Sequence, residues 1–345
     1  MIYNRLGRSG LHVSKVCLGT MAFGGLTDEK EAFRIMDTAL DLGVTFFDTA
    51  NGYGAIRPKG RRTLSGGHSG YSEEIIGKWF AQGGGRREKV VLNTKLTGAD
   101  GELAGSNNVR GLSAWKIRRS LDASLKRLQT DHLEMYMMHA PDRQTTWDEL
   151  WPAFTIAQEM GKVDYIASSS HAAFEVVQGQ YEAKMRGLFG LIAEEHRYNL
   201  VSRVPELELI PALQRMGMAL MCYSPLGGGY LAGYALDNPG PRTDGRPLND
   251  DQVKQLTAFK AFSKEIGIPE GKIALAWLLK QPIVGCYLTG PRTVQHLVEA
   301  VEAIEVVDQL TDEVMKKLDE IFPGPEAYSY YFPGAGKTAP TAYDW

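Results

Sequence analysis

Short apolar runs alternate with amphipathic stretches along almost the whole chain. Eight of these runs read as strands, ending near Leu18, Asp48, Lys95, His139, Ser168, Glu195, Tyr223 and Leu288. Their apolar character suits strands buried on both faces of a parallel sheet. Between them, the spacing of apolar positions predicts helices over 28–42, 72–80, 113–128, 147–160, 172–185, 205–216 and 250–266. A further helix over 293–304 follows the last strand. Capping chemistry supports several of these. Asp28 and Ser72 are placed to open two helices, and Gly43 and Gly161 to close two others.

Eight strand–helix units of this kind place the chain in the α/β class and point to a closed (β/α)8 TIM barrel. An open doubly wound sheet is the alternative. The strand count and the lack of a G-x-G-x-x-G after the first strand favour the barrel. Residues 1–5 and 11–14 flank Gly7-Arg8-Ser9-Gly10 and read as a hairpin capping one end. An extra helix is predicted over 269–280, just before the eighth strand. A Gly/Pro-rich loop over 227–249 follows the seventh, and an aromatic tail over 322–345 is expected to fold over the barrel. One domain would span 1–345, with the barrel over about 15–305 and a C-terminal extension over about 306–345.

With 345 residues, 43% of them hydrophobic, the chain has ample material for a core. A net charge of -3 gives no reason to expect nucleic acid or an anionic membrane as a partner. Cys17, Cys222 and Cys286 lie in apolar runs and read as buried thiols, which suits a reducing compartment. No apolar run approaches the roughly 20 residues that span a bilayer, and the N-terminus has no apolar signal core. The cytoplasm is the expected location. The histidines form no metal-ligand spacing, so no metal is expected.

Three successive strands end in polar residues: Phe46-Phe47-Asp48, Val90-Val91-Leu92-Asn93-Thr94-Lys95 and Met135-Tyr136-Met137-Met138-His139. Tyr53 follows Asp48 by five residues. In a (β/α)8 barrel, side chains at the C-terminal ends of strands converge on one mouth. A lysine beside a phenol stabilises the phenolate and should lower a pKa that is ordinarily about 10. Asp48 would keep Lys95 charged and oriented, and His139 would direct a substrate carbonyl through a hydrogen bond. Together they could protonate a carbonyl oxygen while another group delivers hydride to the carbon. Each residue alone has an ordinary structural explanation, so the weight rests on the four occurring together.

These residues sit in motifs that resemble the aldo-keto reductase superfamily. The motifs are Asp48-Thr49-Ala50-Asn51-Gly52-Tyr53-Gly54, Ser72-Glu73-Glu74-Ile75-Ile76-Gly77, Asn93-Thr94-Lys95 and His139-Ala140-Pro141-Asp142. Gly19-Thr20-Met21, Tyr198-Asn199-Leu200, Tyr223-Ser224-Pro225-Leu226 and Gly290-Pro291-Arg292 with Glu299 extend the resemblance. It is closer to the bacterial branch that includes the potassium-channel β-subunits than to the mammalian aldose reductases.

The resemblance implies a barrel that binds NADPH, with NADH as the alternative, and that lacks a Rossmann domain. Asp48, Tyr53, Lys95 and His139 would form the catalytic tetrad, with Tyr53 as general acid. Gly19, Thr20, Met21 and Asp48 would contribute to the cofactor site. Tyr223 would stack on the nicotinamide, and Ser169, Ser170 and Glu195 would hold its carboxamide. Ser224, Leu226 and Gly228 would hold the pyrophosphate. Gly290 would also contribute to the cofactor site, and Arg292 would meet the 2′-phosphate, whose charge suits a guanidinium fork. His296 and Glu299 would lie at the adenosine end. Phe23 and Trp115 would wall the substrate site with Tyr53 and His139.

Four positions depart from the family pattern. Ser170 replaces the usual Asn, and Ala300 replaces an Asn near the adenine. Tyr234 stands where the channel-subunit branch often has Lys, so Arg242 or Arg246 would supply that charge. Glu195 stands where the family favours Gln, and a carboxylate accepts hydrogen bonds but cannot donate them.

The implied activity is reduction of a ketone or aldehyde to an alcohol. The long insertion over 56–71 and the aromatic tail suggest a keto-sugar or a polycyclic ketone as substrate. Two other readings stand beside it: a redox-sensing, cofactor-binding regulatory subunit with little turnover, and a barrel hydrolase or isomerase with no nicotinamide. The insertion carries Arg57, Lys59, Arg61, Arg62 and His68 and reads as either a lid or a solvated loop. The tail residues Tyr328, Tyr330, Tyr331, Phe332, Tyr343 and Trp345 would line the pocket, pack on the barrel or meet a neighbouring subunit. A homo-oligomer is compatible with the chain. Gly334-Ala335-Gly336-Lys337-Thr338 imitates the end of a P-loop, but Tyr331 occupies its first position and Pro340 blocks the helix that must follow.

Overall fold

The computed structural model describes residues 1–54, 68–96, 108, 110–236 and 248–325. Arg57, Lys59, Arg61, Arg62, Arg242, Arg246, the tail aromatics and the P-loop imitation lie outside the described residues. The chain opens with an antiparallel hairpin of β1 (Tyr3–Arg5) and β2 (His12–Ser14). There follow β3 (Val16–Gly19), α1 (Glu29–Asp41), β4 (Phe46–Asp48), α2 (Tyr71–Phe80), β5 (Val91–Leu96), α3 (Ala114–Leu128) and β6 (Leu133–Met138). Next come α4 (Trp147–Glu159), β7 (Val163–Ser169), α5 (Ala173–Met185), β8 (Leu191–Arg197), α6 (Leu209–Met216) and β9 (Ala219–Tyr223). The described elements end with α7 (Asp250–Ile266), α8 (Glu270–Lys280), β10 (Val284–Thr289), α9 (Val294–Glu302) and α10 (Asp312–Ile321).

Strands β3 to β10 close into a barrel in sequence order, with β10 pairing back onto β3. All eight pairings are parallel. This is the (β/α)8 barrel that the strand pattern predicts. The alternation along each strand divides the core in two. Cys17, Phe46, Met135, Met137, Ala167, Ala193, Ala219, Met221, Cys286 and Leu288 form an inner cluster, closed at the bottom by Leu6 and Val13 of the hairpin. Outward-facing residues such as Val16, Leu18, Phe47, Leu92, Tyr136 and Met138 join the helices in a second, larger cluster. Trp79 of α2 is fully buried there, stacked on Phe47 at 5.7 Å between ring centres. Burying one such side chain stabilises the fold by about 1.5–3 kcal/mol or more.

Two helix boundaries follow the capping chemistry closely. Asp28 accepts from Glu31 N, and Ser113 from Lys116 N. Ser72 does not cap α2 as its position suggests. Gly70, at φ +87°, is the N-cap, and Ser72 is buried in the first turn. Its hydroxyl donates to the Thr20 carbonyl at 3.0 Å and also meets Thr20 Oγ1 at 2.9 Å and Thr49 Oγ1 at 3.2 Å. A tertiary partner outcompetes the local cap.

The predicted helix over 205–216 is broken. A 3-10 turn at Val204–Glu206 precedes α6, with Pro205 in the first turn, where a missing N–H is tolerated. The C-terminal extension contains α10, which the apolar pattern did not predict. Thr311 caps it through Val314 N, and Leu318 and Ile321 supply its buried face.

Candidate active site

Lys95 and Asn93 lie two residues apart on β5, so both point to the barrel interior, as do Asp48 on β4 and Glu195, two residues beyond Ala193 on β8. Lys95 and Asp48 are buried to 0% and 1% exposure and form an ion pair. Lys95 Nζ also donates to the Thr49 carbonyl and to Tyr53 Oη, each at 3.4 Å. Asn93 Nδ2 donates to the other Asp48 oxygen at 2.6 Å. The Tyr53 ring meets the His139 ring edge-on at 5.5 Å between centres, with planes at 83°. The fold therefore brings together the four strand-end residues that the sequence singles out.

The electrostatics differ from expectation at Tyr53. Burial pushes its hydroxyl up to about 12, and the nearby Lys95 charge only partly offsets this. The phenol is held protonated, not poised as phenolate. Burial disfavours the Lys95 charge, but Asp48 and Glu195 outweigh it and hold the ammonium well above its usual range. Burial also raises Asp48 against the pull of Lys95 and Asn93. Glu195 is pushed up to about 8 by burial and then by Asp48. Its Oε2 lies 3.3 Å from Lys95 Nζ.

The residues expected to hold a cofactor occupy the strand ends from β7 round through β8, β9 and β10 to β3. Those expected to act on the carbonyl occupy β4 to β6, so the two sets take two arcs of the rim that share Asp48 on β4. Ser169 is buried and Ser170 exposed, the latter in a left-handed conformation at φ +61°. Ser224 is also left-handed, at φ +53°, and its carbonyl accepts from Asn199 Nδ2 at 2.8 Å. Gly227, Gly228 and Gly229, after Leu226 at φ -96°, are also left-handed at φ +59°, +75° and +110°. Gly227 N and Gly229 N donate to the Ser224 and Leu226 carbonyls at 2.9 and 3.0 Å, which closes the segment into a tight turn. Tyr223 and Leu226 are partly exposed beside it.

At the β10 end, a Cβ added to Gly290 would meet nothing within 4 Å, which leaves the backbone open to a close approach. Arg292 and His296 are exposed at the N-terminus of α9. Glu299 accepts from Gln295 at 2.9 Å. The Arg292 guanidinium and the open backbone at Gly290 suit a phosphate-bearing dinucleotide.

Three expected contacts are placed differently. Thr20 is fully buried, and its hydroxyl donates to the Asp48 carbonyl at 3.0 Å, so that side chain serves the fold. Gly19 is buried against Thr289, whose carbonyl oxygen would lie 3.1 Å from an added Cβ, while Met21 is partly exposed. Phe23 has 0% exposure and packs in the outer core, so it presents no surface to a substrate in this conformation. Apolar neighbours outcompete the mouth for its ring. Trp115, in the first turn of α3, is 36% exposed and lies 5.0 Å from the Arg119 guanidinium. Helices enter from the same rim, so Trp115 stands at the mouth's edge.

The sequence reading missed two supporting groups. Asn93 is one; its two-residue spacing from Lys95 was the available signal. The other is Glu73, fully buried, which accepts from Thr94 at 2.5 Å and from Arg127 Nε at 2.7 Å. Nothing in the local sequence pairs Glu73 with Arg127.

A buried lysine–carboxylate pair beside a phenol and an imidazole, on the C-terminal rim of a parallel barrel, defines a carbonyl-reducing oxidoreductase site. The sequence profile of the aldo/keto reductase family matches residues 15–322, and the chain belongs to that family. It is an NAD(P)H-dependent oxidoreductase. It is 48% identical, over the full length of both chains, to the uncharacterized oxidoreductase YrpG of Bacillus subtilis (strain 168). It is 32% identical to a probable voltage-gated potassium channel subunit beta of Oryza sativa subsp. japonica, over 93% of this chain and 96% of that one. Similarity to protein tas of Escherichia coli (strain K12) is 29%, over 96% of this chain and all of that one. No helix among the described residues is long and apolar enough to cross a membrane.

Proposed function

We propose that the enzyme reduces a ketone or aldehyde to an alcohol with NADPH, and that Tyr53 donates the proton. The observation that carries this reading is the hydrogen bond from Lys95 to Tyr53 Oη. Because Lys95 donates to that oxygen, the phenol's own hydrogen is free to point at a substrate carbonyl. His139, edge-on to Tyr53, would hold the carbonyl oxygen over the phenol. When bound, the nicotinamide supplies the hydride. As the carbonyl carbon accepts it, the oxygen becomes an alkoxide, a far stronger base than a phenolate. Transfer from Tyr53 is therefore downhill even with its hydroxyl pushed up to about 12.

The assignment of NADPH rests on Arg292, exposed beside the amide end of α9. Glu31 works against it, since its carboxylate accepts from Val294 N at 3.0 Å. The Glu31–Arg34 ion pair at 2.8 Å tempers that charge.

The test is NADPH consumption by the purified protein with a panel of keto-sugars and polycyclic ketones. Tyr53→Phe should lower turnover by about 10²–10⁴-fold, the usual worth of a general acid, while cofactor binding persists. Full activity in that variant would sink the role of Tyr53. The similarity to a probable channel subunit beta favours a second reading, a cofactor-binding subunit of a larger assembly. Tight NADPH binding without turnover, and a stable partner in a pull-down, would support it instead.

A further inference from the structure

Glu194 and Glu195 stand side by side near the end of β8 and are served very differently. Glu194 accepts from Ser168 Oγ at 2.5 Å and His171 N at 2.9 Å, with His196 Nδ1 at 3.3 Å. Glu195 faces the barrel axis at 3% exposure. Its Oε2 lies 3.3 Å from Lys95 Nζ but is aligned with no hydrogen-bond donor among the described residues. An ammonium has three hydrogens, and those of Lys95 are directed to Asp48 Oδ2, the Thr49 carbonyl and Tyr53 Oη. Asp48 has both oxygens supplied, one by Lys95 and one by Asn93. One ammonium thus faces two carboxyl groups, and Oε2 of the second lacks the hydrogen bond that would hold a buried charge. Two carboxyl groups sharing one counter-charge in a dry interior keep one proton between them.

We propose that Glu195 is a positioning residue for Lys95 and Tyr53: its neutral carboxyl leaves the ammonium directed at the phenol, and loss of its proton draws Lys95 away and shuts carbonyl reduction down. The inference rests on Tyr53 acting as the acid through Lys95. An ionised Glu195 would also place a second negative charge beside the phenol and make it a weaker donor.

The surrounding groups point to Glu195, together with Asp48, as the pair that titrates in the accessible range. Burial pushes it up to about 8, whereas Tyr53 is pushed up to about 12. Across the barrel, Lys95 on β5 is held well above its usual range. Cys17 on β3 and Cys222 on β9 are both raised well above theirs by burial. Ser169 on β7 pairs in register with Glu195 and carries no charge. Asp48 on β4 titrates jointly with Glu195, so the limb belongs to the pair. A limb contributed by any other group would survive removal of the Glu195 carboxyl.

The experiment is the pH profile of NADPH-driven carbonyl reduction from about pH 6 to about pH 10 for wild type, Glu195→Gln and Glu195→Asp. Each profile is normalised to its own plateau, with folding checked by circular dichroism. Wild type should lose about tenfold per pH unit above its upper limb. Glu195→Gln should lack that limb, and Glu195→Asp should show it at a shifted pH. Infrared difference spectra without substrate should show a protonated-carboxyl band in wild type that disappears at high pH and is absent from Glu195→Gln. Identical profile shapes in wild type and Glu195→Gln would overturn the proposal, as would a missing Glu195-dependent band. Full turnover in Tyr53→Phe would remove the acid reading beneath it, and the infrared arm separates that failure from one at Glu195.

Discussion

Asn93 Nδ2 donates to Asp48 Oδ1 at 2.6 Å, and Lys95, two residues further along the same strand, takes Asp48 Oδ2. The two β5 side chains therefore grip both oxygens of one buried carboxylate. Asn93→Ala leaves Oδ1 without a donor, which should cost about 1–3 kcal/mol of stability. It should also lower turnover, because Asp48 would be freer to rotate away from Lys95. Urea unfolding and steady-state kinetics check this together. Unchanged values in both would mean that Asn93 is not needed to orient Asp48.

The pairing of Glu73 with Arg127 ties α2 and α3 to β5 through Thr94. Arg127→Met should cost about 3–5 kcal/mol, because it strands a buried carboxylate. Adding Glu73→Met should recover most of that loss. A double-mutant cycle in urea reads the coupling, and additive losses would argue against it. Gly70→Ala should also destabilise the same junction. Its backbone is left-handed, and the new Cβ would fall 2.6 Å from Arg127 Nε.

Ser170 sits left-handed at φ +61° on the cofactor arc. Such a conformation strains a non-glycine residue by about 1 kcal/mol, and Asn tolerates it better than most. Ser170→Asn should therefore raise the melting temperature slightly. It should also tighten NADPH binding severalfold, since an amide offers a longer reach and a second donor that a hydroxyl lacks. Fluorescence titration with NADPH checks the second effect. Weaker binding in Ser170→Asn would remove Ser170 from the carboxamide site.

Glu195 should also leave a mark on stability. Its ordinary value of 4.5 rises in the folded protein to about 8, so folding favours the protonated form. That contribution is complete below the unfolded value, is lost as pH rises toward about 8, and is flat beyond. Relative to Glu195→Gln, wild type should lose stability by up to about 1.4 kcal/mol per pH unit across that window. Chemical denaturation of both proteins between about pH 5 and about pH 9 measures the gap. A constant gap would mean that Glu195 carries its charge throughout.

Three of the four residues at the mouth were legible because each is marked locally. Asp48, Lys95 and His139 end apolar runs, and a strand end in a barrel has one destination, the rim. The residues expected at the end of β3 were legible in position but not in burial. Thr20 and Phe23 lie at the end of β3 as expected, yet both are buried, and Thr20 bonds the Asp48 backbone. Ser72 reads as a cap until its hydroxyl meets Thr20 from a distant part of the chain. Side-chain destinations of this kind depend on competition between local and long-range partners, which a linear pattern does not record.

The sequence by itself determined the eight strands, most of the helices and the four residues at the mouth, because hydrophobic period and strand-end position are local properties. The tertiary structure decided what those residues are chemically. It placed Glu195 beside Lys95 and surrounded Tyr53 closely enough to push its hydroxyl up to about 12 instead of down. Protonation depends on burial and on charges brought in from other strands, and only closure of the barrel brings β4, β5 and β8 to one axis.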